Sequence, residues 1–325
     1  MNYDKTIPIF FATDDNYIPY LDVAIRSLID HTSVNNKYDI YVLNTGLCEK
    51  SKQMVKSQEK QNVSINFCDI SLYVEEIKDK FKKIMHFGVA CYYRLFIQNL
   101  FPHLTKVLYL DCDIVVLRDV ADLFDVDLGD NMLAGAVEQF VANTKEYSMY
   151  AKYALGLDSQ KYINTGILLM DLTKFREHKI EQKFTYMLTH YNFELIDPDQ
   201  AYINFLCRGK ILLLPKCWNK TNYKVDRVGS KHIVHFALAE KPWQSDVDNC
   251  EYFWYYAKKS QFYDMIKSVR ENFSDIQREQ KKLAELALRQ RAIDITNQDN
   301  TFYNKIVLGV LKKITQRQKE LYGVM

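Results

Sequence analysis

The chain has no Cys-x-x-Cys pair, no glycine-rich phosphate motif and no long apolar run. Each absence closes a class. Its seven cysteines, at 48, 68, 91, 112, 207, 217 and 250, are scattered and odd in number. Zinc-ribbon and thioredoxin-like readings therefore fail, and reduced thiols in a cytosolic protein are expected. Without Gly-x-Gly-x-x-Gly there is no dinucleotide fingerprint, and without Gly-x-x-x-x-Gly-Lys-Ser/Thr there is no P-loop. No uninterrupted apolar stretch reaches the length that spans a bilayer. Residues 1–8 lack the basic, apolar and cleavage regions of a secretory signal. Neither a secreted nor an integral membrane protein is expected. A formal net charge of +2 offers no chain-wide case for nucleic acid. No internal repeat or low-complexity stretch interrupts the chain.

What is present reads as a globular α/β chain. Hydrophobic residues make up 48% of the 325 and charged residues 26%, enough to bury a large core in one or two domains. Short apolar runs at 7–12, 38–43, 63–68, 106–110, 132–137, 167–170, 211–214 and 232–236 read as strands. Helical patterns alternate with them at 20–29, 49–61, 71–85, 89–99, 120–124, 141–157 and 172–191. Pro198 is expected in the first turn of a further helix through Phe205. Such alternation argues a mostly parallel sheet with right-handed crossovers. After about residue 265, Gly and Pro nearly vanish, and 266–325 is expected to form a separate helical tail behind a domain at 1–265.

The informative stretch is 106–119. Val107, Leu108, Tyr109 and Leu110 form a strand that stops at Asp111 and Asp113. Two carboxylates one residue apart repel each other. A hard cation relieves that repulsion, and a nucleotide diphosphate can complete its shell. Taken alone, such a pair more often ends a strand as solvated turn residues, so the rest of the chain has to decide. Asp14 and Asn16 follow the first strand, His235 lies on a late one, and Asn164, Asp199 and Gln200 sit at loop or helix starts. With no glycine cradle, a diphosphate would need a metal and basic side chains, for which Arg94, His235 and Lys241 are the candidates.

Seven short motifs then occur in one order. They are Phe-Ala-Thr-Asp-Asp-Asn-Tyr (11–17), Tyr-Arg-Leu (93–95), Val-Leu-Tyr-Leu-Asp-Cys-Asp (107–113), Tyr-Ile-Asn-Thr-Gly (162–166), Asp-Gln (199–200), Trp-Asn (218–219) and His-Phe-x-x-x-x-Lys-Pro-Trp (235–243). In order and spacing the chain resembles family 8 of the retaining glycosyltransferases over roughly residues 5–265. That family includes bacterial lipopolysaccharide galactosyl- and glucosyltransferases and glycogenin.

The resemblance implies a GT-A type nucleotide-diphospho-sugar transferase fold, a UDP-hexose donor (glucose or galactose) and Mn²⁺, with Mg²⁺ as a second choice. It implies Asp111, Asp113 and His235 as metal ligands. Ala12, Asp14, Asn16 and Tyr17 would surround the uridine, with Cys112 beside the donor. Lys241 would contact the diphosphate. Arg94, Glu138, Asn164, Asp199 and Gln200 would surround the sugar. The acceptor would be a glycan, a lipid-linked sugar or a protein, and the compartment cytoplasmic, at the inner membrane face if the tail binds lipid. The alternative is a degenerate homologue that binds UDP-sugar as a non-catalytic scaffold. Two positions depart from the family pattern: Leu238, where Gly is common, and Glu138, where Asp is frequent. In the tail, Phe302, Ile306, Leu308, Val310, Leu311 and Ile314 form an apolar helical stripe among lysines. A membrane-surface helix, an oligomerisation helix and packing on the catalytic domain all fit that stripe.

Overall fold

The computed structural model describes residues 3–81, 88–221, 229–237 and 239–310. Its centre is a seven-stranded sheet of β1 (Thr6–Ala12), β2 (Lys37–Asn44), β3 (Val63–Asp69), β4 (Lys106–Leu110), β6 (Leu133–Gly135), β7 (Ile167–Asp171) and β8 (Ile211–Leu213). The strand order is β3-β2-β1-β4-β7-β6-β8. β3, β2, β1 and β4 are mutually parallel, and β6 is parallel to β8. β7 is antiparallel to both of its neighbours, β4 and β6. The sheet is thus parallel except for one reversed strand.

The central strands β1, β4 and β7 are almost wholly apolar because both faces are covered. Alternate residues feed two cores. On β1, Ile7, Ile9 and Phe11 enter one core and Phe10 and Ala12 the other; on β4, Leu108 and Leu110 oppose Val107 and Tyr109. This is the period-2 alternation of a pleated strand. The first core packs under the helix Ile18–Ile29 and takes in Phe253, Tyr256 and Ile266. The second gathers Tyr92, Tyr147, Tyr150, Phe184 and Tyr202.

A second sheet was not expected. β5 (Ile114–Val116), β9 (Lys220–Thr221) and β10 (Ile233–His235) form a three-stranded sheet in the order β5-β10-β9. His235 therefore does not end a strand of the main sheet, as a single sheet would require. It lies on β10, antiparallel to β5, opposite Ile114.

Several helices are shorter or more broken than their patterns. Residues 172–191 divide into Leu172–Glu177 and Ile180–His190, because Lys179 adopts a left-handed φ of 54°. The segment 49–61 is helical only over Glu49–Lys56; beyond it Gln58 turns inward to Asp22. Residues 89–99 wind mostly as a 3-10 helix, Val89–Phe96. Residues 141–157 break at Thr144, which is extended, and finish as a π-wound turn over Tyr150–Leu155. Within 71–85 only Ser71–Val74 and Lys78–Lys80 are helical among the described residues. Pro198 precedes its helix, which begins at Gln200, because the Asp199 carboxylate is turned to Arg94 and Thr165.

The C-terminal segment carries the helix Asp275–Thr296, opened by a Ser274–Gln277 capping box. Ala292, Ile295 and Phe302 are buried in the second core. Phe302 packs edge-on or tilted against Phe193, Tyr202 and Phe205. Ile306 and Val307 are half-buried on the same core, and Val310 is exposed. Leu311 and Ile314 of the apolar stripe lie outside the described residues. Among the described residues no helix is long and apolar enough to cross a membrane.

Candidate active site

The two acids stand where β4 ends and the chain turns into the small sheet. Register does the rest. Ile114 pairs with His235, and the Phe236 N–H donates to the Asp113 carbonyl at 2.9 Å. His235 is thereby laid beside the acids: its Nε2 is 3.2 Å from Asp113 Oδ1 and 3.7 Å from Asp111 Oδ2. One ligand atom from each of Asp111, Asp113 and His235 lies within 4.8 Å of the others. Lys241 reaches back from the following loop and donates to Asp113 Oδ2 at 2.6 Å and to the Phe236 carbonyl at 2.5 Å. Burial opposes ionisation of Asp113, but Lys241, with His235 when its ring is charged, outweighs it and holds the carboxyl well below the usual range.

A chain of amides sets the histidine. Glu138 accepts from Asn164 Nδ2 at 2.6 Å, and Asn164 Oδ1 accepts from Asn219 Nδ2 at 2.8 Å. Asn219 must then offer its oxygen to His235 Nδ1, 3.0 Å away. That bond puts a proton on Nδ1, so the neutral ring would offer its lone pair at Nε2, on the side of the acids. All four side chains are buried. Two carboxylates and an imidazole lone pair suit a divalent cation of the Mn²⁺ type, and the outer amide chain is the support such ligands need. These residues fit a metal. Asn219→Ala is expected to weaken metal binding by about 10–100-fold while the fold survives. Titration of Mn²⁺ into both proteins checks this, and equal affinities would contradict it.

Opposite the acids stands Arg94, buried on the ring of Tyr109 at 4.1 Å. Its Nη2 donates to Asp111 Oδ1 at 3.0 Å, its Nε lies 3.1 Å from Asp199 Oδ2, and its Nη1 donates to the Thr165 carbonyl. Burial opposes its charge, but Asp111 and Asp199 raise its pKa well above normal. Gln200 is held at both ends: Oε1 accepts from the Thr165 N–H at 3.1 Å and Nε2 donates to Asp197 Oδ2 at 3.1 Å.

Asp197 was not singled out from the sequence. It also accepts from the Tyr162 and Tyr150 hydroxyls. Burial pushes it up to about 7, against the hydrogen bonds from Tyr162 and Gln200. A folded-state pKa above the unfolded one gives stability that is greatest in acid. That stability falls as pH rises from about 4 towards neutrality and then levels off. Asp197→Asn removes this term, so its melting temperature should gain on wild type between pH 5 and pH 8. Glu181, pushed up to about 7 by burial despite bonds from Tyr73 and Asn99, adds a slope of the same sign that persists in the variant. Parallel melting curves across that range would contradict the assignment.

These groups line one cavity of about 530 Å³. Its wall takes in Ala12, Asp14, Tyr17, Arg94, Asp111, Cys112, Asp113, Glu138, Asn164, Asp199, Gln200 and His235. Asn16 and Lys241 stand off the wall: Asn16 is exposed beside Asp14, and Lys241 is buried behind Asp113. Asp14 Oδ1 accepts from the Asn16 and Tyr17 N–H groups at 3.0 Å each, which starts the helix Ile18–Ile29. Cys112 donates its thiol to the Ala12 carbonyl at 3.2 Å, tying the two strand ends together. Leu238 lies outside the described residues. Gly166, Tyr109, Tyr147 and Asp197 line the cavity without having been expected, as do Glu285, Leu288 and Arg289 of the C-terminal helix.

The comparisons with known proteins agree with this arrangement. The model for glycosyl transferase family 8 matches residues 8–247. The lipopolysaccharide 1,2-glucosyltransferase of Escherichia coli (strain K12) is 28% identical over 267 residues, covering 75% of this chain and 74% of its own. The solved galactosyltransferase LgtC, in complex with donor and acceptor sugar analogs, is 26% identical with a TM-score of 0.64, covering 78% of this chain and 96% of that one. The apo structure of the bifunctional glycosyltransferase WbbM has a TM-score of 0.70 at 22% identity, covering 83% of this chain but 52% of that one, a likeness of fold alone. With the mixed sheet, the acid pair at the end of β4 and a family match across most of its length, the chain belongs to glycosyl transferase family 8.

Proposed function

We propose that the protein transfers a hexose, glucose or galactose, from a UDP-sugar to a glycan, lipid-linked or protein acceptor with retention at the anomeric carbon. One observation carries this reading. Asp111, Asp113 and His235 line one cavity with the Arg94–Asp199–Gln200 group, and the Arg94–Asp111 ion pair joins the two sets. Asp111, Asp113 and His235 would hold Mn²⁺. A divalent cation there supplies charge neutralisation for a diphosphate leaving group. Ala12, Asp14 and Tyr17 would seat the nucleoside. Lys241, buried behind Asp113, keeps that carboxylate ionised and would act on the diphosphate from behind it. Residues 1–265 carry the donor chemistry in this reading, and the described part of 266–325 packs on the two cores and lends Glu285, Leu288 and Arg289 to the cavity wall.

With retention taken from the family resemblance, the groups already engaged bear on the displacement geometry. Each carboxylate around Gln200 already has a partner: Asp199 has Arg94, Asp197 has Tyr162, and Glu138 has Asn164. Gln200 itself is an amide and a weak nucleophile. Double displacement of the kind retaining glycosidases use needs an unencumbered carboxylate beneath the sugar. Attack by the acceptor on the face the leaving group departs from is therefore favoured. Gln200 and Asp199 position the sugar and stabilise the positive charge that develops on its ring. The test is UDP release from UDP-glucose, UDP-galactose and UDP-N-acetylglucosamine, with Mn²⁺ and with chelator. Metal-dependent release from one hexose donor is expected. A sugar bound covalently to Asp199 or Gln200, seen by intact mass, would contradict the displacement geometry.

A further inference from the structure

The helix Asp275–Thr296 lies beyond the family match, which ends at residue 247, yet it walls the cavity. Lys281, Glu285, Leu288 and Arg289 recur at helical spacing and so share one face. Lys281 donates to the Ala239 carbonyl and to Gln244, gripping the loop that carries Lys241. One turn on, Glu285, Leu288 and Arg289 line the cavity together with Phe140, Val141 and Tyr147. Arg289 Nη2 lies 3.3 Å from Glu285 Oε1, and both side chains keep 40% of their surface exposed.

Two polar atoms at this end lack a well-aligned hydrogen bond. The Tyr147 hydroxyl is buried, in a residue only 1% exposed, and has no well-aligned hydrogen-bond partner among the described residues. Arg289 Nε is likewise buried and without one. Arg289 acts on Tyr147 by charge and through a side-chain hydrogen bond that is poorly aligned, so the two groups only partly satisfy each other. Their unused hydrogen-bonding capacity calls for an explanation, and these two belong to residues that line the cavity.

The chemistry selects the ligand. Arg289 only donates, Glu285 only accepts, and Tyr147 does either. The Phe140 and Tyr147 rings, 5.0 Å apart and inclined at 33°, make an apolar wall. An anion would meet Glu285, and an aliphatic chain would strip water from Arg289. A sugar satisfies all four, because its hydroxyls both donate and accept and its C–H face lies on a ring. The helix Gln139–Asn143 links this end to the donor side, since its cap, Glu138, also holds Asn164. We propose that Tyr147, Glu285 and Arg289 form a saccharide-recognising acceptor subsite, completed by a helix outside the family match. This inference rests on the glycosyl-transfer reading above.

The test uses the full chain with Mn²⁺ and whichever UDP-sugar it turns over. Methyl glycosides of glucose, galactose and N-acetylglucosamine, and lactose, serve as acceptor probes. For Tyr147→Phe, Glu285→Gln and Arg289→Gln, the KM of the best glycoside should rise about tenfold, the loss expected of one hydrogen bond involving a charged group. The KM for UDP-sugar and the melting temperature should move little, and Arg289→Lys should recover part of the loss. Unchanged glycoside KM in all three variants overturns the subsite. A rise in both KM values together, with a lower melting temperature, assigns a merely structural role and overturns it too. A wild type that hydrolyses the donor but transfers to no saccharide overturns the saccharide assignment while leaving donor chemistry intact. A wild type that neither binds UDP nor releases it removes the glycosyl-transfer reading, and the subsite falls with it.

Discussion

Asp113→Asn is expected to lower metal-dependent donor turnover by roughly 10³-fold or more, the scale of several kcal/mol of lost leaving-group stabilisation. It should also destabilise the fold. Asp113 is the partner of Lys241, which is 2% exposed and donates to it at 2.6 Å. Removing one member of a buried pair leaves an uncompensated charge and costs about 3–5 kcal/mol. Loss of activity alone would therefore prove little. The double variant Asp113→Asn with Lys241→Met separates the two effects, because replacing both members of a buried pair by groups of similar volume is often nearly neutral. The double variant should regain much of its melting temperature and none of its turnover. Recovery of turnover along with stability would show that Asp113 supports the fold and not the chemistry.

Gly166→Ala should be nearly as damaging, for a reason of space. A Cβ on Gly166 would stand 2.3 Å from His235 Cε1 and 2.6 Å from Asp111 Oδ2. Neither neighbour can retreat: Asn219 holds the imidazole and Arg94 holds the carboxylate. The backbone is pinned as well, since the Gly166 carbonyl accepts from the Asp111 N–H at 2.7 Å and its own N–H donates to Asn164 Oδ1 at 2.9 Å. Overpacking of this kind costs about 1–3 kcal/mol. Displacing a reacting group by about 1 Å can remove 10²-fold of activity. Turnover should fall by about 10²-fold or more, with weaker Mn²⁺ binding. Wild-type Mn²⁺ affinity in the alanine variant would contradict the packing argument.

Much of this was readable from the residues. The run 107–110 declares a strand because a strand buried on both faces is apolar without a break. The acids that end it stand out for the same reason. Asp14, Arg94, Asn164, Asp199 and Gln200 were found through motifs, and all five line one cavity. Other features leave weak traces. β10 was legible within the run 232–236, but its partners β5 and β9 have three and two residues, too few for a period, so the sheet that presents His235 was not. The reversal of β7 has no signature either, since a strand covered on both faces looks alike in both directions. Lys179 breaks its helix at positive φ with neither Gly nor Pro to announce it. Asp197 offered one clue, an acid two residues before Asp199 and next to a proline. Tyr147 looked like one more core ring in a Tyr-rich helix. Glu285 and Arg289 sat in a stretch whose composition suggested a separate tail.

The central claim is that Asp111, Asp113 and His235 bind the metal that in turn binds the nucleotide. Calorimetric titration of UDP into the protein, with Mn²⁺ and then with chelator, for wild type and His235→Ala, tests it most directly. The account predicts UDP binding to wild type only when Mn²⁺ is present, and none to His235→Ala under either condition. UDP binding of equal strength with chelator, or undiminished in His235→Ala, would contradict it.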